Sequence, residues 1–198
     1  MDKPRNYDDV KAFGEFEPLE LGGHICRIMK VEERLSKSGK EMIVIYLDIA
    51  EGRQRDYFKN LYENDQREKK KWGCVVYQLV HDKKGDANRG FKTFNTAVEE
   101  SNEGFKIIWG NGYSESLRGK LIGGVFGREQ YKKQNEELAW TIKCFNFRSV
   151  KTIKAGVFIP EDRLYKEDSG GISNTNNTGN QNAGFYSVED TTDDDLPF

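Results

Sequence analysis

Two stretches of this chain carry residue types whose spacing could do chemistry. The first is Asp193-Asp194-Asp195-Leu196-Pro197-Phe198, which sets three carboxylates beside an apolar triplet. An apolar pocket with a basic rim can clamp the Phe198 ring and the chain carboxylate together. Pro197 stiffens the approach, which lowers the ordering cost, and the aspartates steer toward the basic rim. The second stretch is Arg53, Arg55, Tyr57 and Lys59, at alternate positions. In an extended strand these four point one way and Phe58 the other, giving a basic, aromatic face that neutralises phosphates and stacks on planar groups. The run Lys69-Lys70-Lys71 reads as the solvated side of a helix.

Catalytic spacings do not occur. The chain lacks a Gly-x-x-x-x-Gly-Lys-Ser/Thr phosphate loop, a His-Glu-x-x-His pair and a Gly-x-Ser-x-Gly elbow. His24 and His81 stand alone, and Cys26, Cys74 and Cys144 have no CxxC spacing, so buried thiols are expected rather than a zinc site or a disulfide. Carboxylate–lysine fragments such as Glu68-Lys69 and Glu103 to Lys106 are what chance gives in a chain that is 32% charged. The expectation is a non-enzyme that needs no cofactor and no metal. A hidden nuclease would instead reveal itself by Mg-dependent cleavage.

The 198 residues suffice for one domain and an extension. No apolar run approaches the roughly 18 residues of a membrane span, and no secretory core is visible, so a cytoplasmic protein with no membrane partner is expected. Charge is divided unevenly. Glu167 to Phe198 holds seven acids and no Lys or Arg, which leaves 31 bases against 26 acids before it, a net of +5. Asp168 to Gly184 is Asn-, Gly-, Ser- and Thr-rich, with too little apolar surface to offset the entropy of ordering. The expected layout is a folded domain over 1–160, a flexible linker over 161–187 and an acidic tip over 188–198.

Elements that must position the basic residues follow from hydrophobic period. After Phe13, Phe16 and Pro18, Gly22-Gly23 turns into a β-like run from His24 to Glu33, and Ser38-Gly39 signals a hairpin. Met42 to Ile49 alternates, with Ile43, Ile45, Leu47 and Ile49 toward a core and Val44, Tyr46 and Asp48 away from it. Arg53 to Lys59 reads as the third strand. Trp72, Val75, Val76, Leu79 and Val80 fit a helical stripe over 66–80. Residues 81–116 read as an insertion with a short helix around Phe94, Ala97 and Val98. Lys120 to Gln130 and Leu138 to Arg148 are two more strands joined by a polar hairpin, and Val150 to Ile159 a further extended segment. Gly123, Gly124 and Gly127 imply bending or close packing.

Three strands, a helix and two strands is the order of a mainly β fold, the five-stranded oligonucleotide/oligosaccharide-binding (OB) Greek-key barrel. Here it would carry one or two helices, the insertion and a disordered C-terminal tail. That barrel takes its ligand on strands two and three, between the first and fourth loops. The expected contacts are therefore Tyr46, Arg53, Arg55, Tyr57 and Lys59, with Lys37 and Lys40 in one loop and Tyr131, Lys132 and Lys133 at the other. Tyr57 is the leading stacking candidate, Trp72 and Phe58 read as core, and Trp109 and Trp140 fit either role.

The hexapeptide Asp193 to Phe198 closely resembles the acidic tip of bacterial single-stranded DNA-binding proteins. Their design of barrel, polar linker and aspartates before Pro-Phe is matched in outline here. The resemblance implies sequence-independent binding and protection of single-stranded DNA during replication, recombination and repair, with the tip docking proteins of those processes. Cellular members assemble as oligomers through barrel surfaces, so the resemblance implies a homo-oligomer unless the insertion blocks or replaces that interface. The body also resembles DNA-binding proteins of phages and mobile elements of gram-positive bacteria, through Gly22-Gly23, Asp48-Ile49-Ala50-Glu51-Gly52 and Arg118-Gly119-Lys120. Such an origin would account for the insertion. The competing expectation is an adaptor that uses the tip to bind replication or repair proteins without coating DNA.

Overall fold

The computed structural model describes residues 2–8 and 17–166. Phe13, Phe16, most of the expected linker and the whole tip lie outside the described residues. The elements in chain order are β1 (Gly22–Leu35), β2 (Glu41–Ile49), α1 (Tyr57–Asn64), β3 (Val75–Leu79), α2 (Arg89–Ser101), α3 (Tyr113–Leu117), β4 (Leu121–Lys132), β5 (Leu138–Arg148) and α4 (Val150–Ala155). The strands form one five-stranded antiparallel sheet in the order β3-β2-β1-β4-β5.

Strand β1 is the hinge of this arrangement. Its first part, Gly22 to Arg27, pairs with β4, and its second part, Cys26 to Leu35, pairs with β2. A bulge between Ile28 and Lys30 lets the strand turn from one partner to the other. Alternation from there places Val31, Ile45 and Val76 together on the inner face, with Ile43 and Leu47 beside them. These belong to a core that also holds Cys26, Ile122, Phe126 and Phe147. At Gly127 a Cβ would come within 2.5 Å of the buried Phe145 ring, so the close packing expected of the β4 glycines is present.

The β1–β2 and β4–β5 hairpins stand where the sequence pattern places them, but the middle of the chain differs. Residues Arg53 to Lys59 are not a strand. Gly52 at φ 92° and Asp56 at φ 57° break the extended path, and α1 follows with Tyr57, Phe58 and Leu61 packed on the core. Asp56 makes no side-chain cap for α1. Asp48 replaces it from β2, its Oδ1 accepting from the Phe58 amide at 2.9 Å. The expected helix over 66–80 is likewise absent. Residues 65–74 form irregular loop and Val75–Leu79 is a strand. A Cβ at Gly73 would meet the Phe58 ring at 2.8 Å, and the short apolar run after it satisfies strand alternation, with Val76 and Gln78 buried.

The segment expected as an insertion contributes to the core. Phe94 and Val98 of α2 are fully buried, and Phe94 meets Phe147 edge-on with ring centroids 5.1 Å apart. Asn88 caps α2 by accepting from the Gly90 amide and also accepts from Gln78 Nε2 at 3.0 Å, which ties the helix start to β3. The expected extended segment after Arg148 begins instead as α4, which Ser149 caps through the Thr152 amide. Residues 161–166 run beside β4 where β1 no longer covers it. There Arg163 and Gln130 are joined by a backbone hydrogen bond, and Arg128 clasps Asp162. No helix among the described residues is long and apolar enough to cross a membrane.

Candidate functional site

Pairing register fixes which side chains share the outward face of β1, β2 and β3. Across the sheet Lys30 faces Tyr46 and then Val75, Glu32 faces Val44 and then Tyr77, and Arg34 faces Met42 and then Leu79. Val44 at the centre is fully covered, while Tyr46, Val75, Tyr77 and Leu79 are half-buried and Lys30 and Arg34 exposed. Two phenol rings and two cations thus stand on one sheet face. Glu32 binds the cations together: its carboxylate lies 2.5 Å from Lys30 Nζ and also contacts Arg34, and the Tyr46 hydroxyl donates to it at 3.3 Å. The hydrogen bond from Lys30 pulls the Glu32 carboxyl below its usual range, against partial burial, with Arg34 adding to the effect. Burial, then the Glu32 charge, raises the Tyr46 phenol.

Of the residues expected to contact a ligand, Tyr46 is on this face. Lys37 and Lys40 lie in the β1–β2 turn that extends it beyond Arg34 and Met42, where Ser36 shapes the turn by accepting from the Lys40 amide. Arg53, Arg55, Tyr57 and Lys59 are elsewhere, in the turn after β2 and in α1. Arg53 pairs with Glu17 and Glu20 at 2.9 Å, Arg55 with Asp56 at 3.5 Å and Lys59 with Glu63 at 3.9 Å. Tyr57 is half-buried: its hydroxyl accepts from the Leu19 amide at 3.1 Å, and the ring packs edge-on against Phe58. Tyr131 and Lys132 end β4 and Lys133 opens the β4–β5 turn, where Lys132 pairs with Glu136 and Lys133 with Glu137, each at 3.4 Å. Exposed pairs of this kind contribute little to stability.

Tyr77, Lys30 and Arg34 are the members that sequence reasoning missed. Tyr77 fell inside the stretch read as helix, although Val75, Tyr77 and Leu79 alternate with Val76 and Gln78. Lys30, Glu32 and Arg34 alternate in β1, and that alternation in the sequence is the signal that could have found them. Trp72, expected as core, is partly buried and packs against the core, donating from Nε1 to the Leu47 carbonyl at 2.7 Å. Trp140 and Trp109 are both exposed, at 44% and 67%, with Arg128 over the first ring and Tyr113 stacked on the second.

The three cysteines are free and buried. Burial pushes the Cys144 thiol up to about 12 and the Cys26 and Cys74 thiols well above their usual value, so none is poised as a nucleophile. Among the described residues no group of three or more His, Cys, Asp or Glu side chains could hold a metal ion. No protein-family model matches the chain, and a search of curated proteins finds no match either.

Proposed function

We propose that this protein binds single-stranded DNA irrespective of sequence on the outward face of β1, β2 and β3, and recruits replication, recombination or repair proteins through Asp193 to Phe198. The observation that carries the reading is the pairing of Tyr46 and Tyr77 with Lys30 and Arg34 on one face. Rings stack on bases of any identity while cations neutralise the backbone, the two requirements of sequence-tolerant strand binding. The strand order β3-β2-β1-β4-β5, with β1 shared between two partners and α2 between β3 and β4, fits a partly open OB barrel. In that fold the face of strands two and three is the ligand platform and the first and fourth inter-strand loops border it, which on this chain are the β1–β2 turn with Lys37 and Lys40 and the β4–β5 turn beside Lys132 and Lys133.

The test is a titration of the full chain with fluorescein-labelled oligo-dT and with a duplex of equal length, read by anisotropy at low salt. The reading expects tighter binding to the single strand, with the logarithm of the binding constant falling linearly with the logarithm of salt concentration. Equal affinity for the two, or none for either, overturns it. The absence of any strand binding, with capture of repair proteins that is lost on removing 193–198, would favour the adaptor instead.

A further inference from the structure

Glu32 is an acid at the centre of a surface read as a phosphate binder, and that position calls for an explanation. Its side chain is only 20% exposed, while those of Lys30 and Arg34 are 63% and 51% exposed. Both carboxylate oxygens are used: Oε1 meets Lys30 Nζ at 2.5 Å, and Oε2 meets the Arg34 guanidinium and the Tyr46 hydroxyl, the latter at 3.3 Å. Lys30 Nζ also lies 5.9 Å from the centre of the Tyr46 ring, over its face. An ammonium, a guanidinium and a phenol hydroxyl therefore converge on one anionic group. Planar guanidinium together with ammonium is a donor set for a phosphodiester as much as for a carboxylate.

We infer that Lys30, Arg34 and the Tyr46 hydroxyl form a backbone-phosphate subsite, and that Glu32 occupies it in the free protein as a built-in competitor. This rests on the reading of the β1–β3 face as the strand-binding surface. Two cations against one acid leave the cluster at +1, so it attracts a strand while its donors stay ordered. When a phosphodiester arrives, the Glu32 carboxylate swings out to water and the phosphate takes over its donors. Tyr46, its hydroxyl now donating to the phosphate, offers its ring to the neighbouring base. The competitor lowers affinity at every site it guards, which keeps a sequence-tolerant binder from holding any polyanion too tightly.

The experiment compares wild type with Glu32→Gln by oligo-dT anisotropy titration across a salt series, with thermal melts to verify folding. Gln keeps the shape and removes the competing charge. Binding should tighten about 3- to 10-fold at low salt, with the log–log salt slope close to that of wild type because the subsite neutralises the same single phosphate in both proteins. Unchanged or weaker binding by a folded Glu32→Gln overturns the inference. The double variant Lys30→Gln/Arg34→Gln serves if the first does not fold. It should bind at least 10-fold more weakly with a slope shallower by about 0.7, the value for one phosphate lost on a single strand, and wild-type affinity overturns the inference. Wild type that binds no oligo-dT sinks the underlying reading itself, an outcome distinct from a binder indifferent to Glu32.

Discussion

Asp48 shows how one side chain links strand to helix and makes stability depend on pH. It is 2% exposed, and its Oδ1 accepts from the Ile49 and Phe58 amides while Oδ2 has no partner. Burial raises its carboxyl above the usual 3.8, although the hydrogen bonds from the Ile49 and Phe58 amides oppose the shift. The folded chain therefore holds this proton more tightly than the unfolded one. The group's contribution to stability is complete below 3.8 and is lost as pH rises through the raised folded value. Urea denaturation at a series of pH values should show that decline in wild type, and Asp48→Asn, which cannot titrate, should remove it. Equal pH dependence in the two proteins would refute the assignment.

At the scale of elements, the glycines of β4 show what sequence can reveal and what it cannot. Three glycines in one strand announce close packing, and Gly127 supplies it: Phe145 is 3% exposed, and Arg163 lies 3.7 Å from its ring centre. With no room for the ring to retreat, Gly127→Ala should lower unfolding free energy by about 1–3 kcal/mol, checked by chemical denaturation. An unchanged midpoint would show that the hairpin yields more easily than its packing implies. Hairpins β1–β2 and β4–β5 were legible because long alternating runs met polar turns. The exchange of α1 and β3 was not, because Trp72 to Val80 satisfies helical and strand periods alike and only tertiary contacts decide. Phe58 and Leu61 needing a helix against the sheet, and Asp48 offering its amide acceptor, are such contacts. The same ambiguity moved the site: Tyr46 was readable from β2, whereas Tyr77 could be placed beside it only once β3 was known to be a strand.

For the whole molecule, charge is separated between a body with a net of +5 and a 167–198 segment with seven acids and no base. On the proposed reading the two ends of the chain differ in role, since the acidic segment carries the same sign as phosphate and serves proteins rather than DNA. Removing 193–198 should leave oligo-dT affinity intact or raised by about 2- to 3-fold at low salt, the gain fading as salt screens the acids. A large loss of affinity would mean that the tip helps to hold the strand. The central claim, that the strand lies on β1–β3, is tested most directly by photo-crosslinking to iododeoxyuridine-substituted oligo-dT and locating the adducts by mass spectrometry. Adducts at Tyr46 and Tyr77 are the predicted result; adducts confined to residues 51–64, or to any surface other than this sheet face, would contradict it.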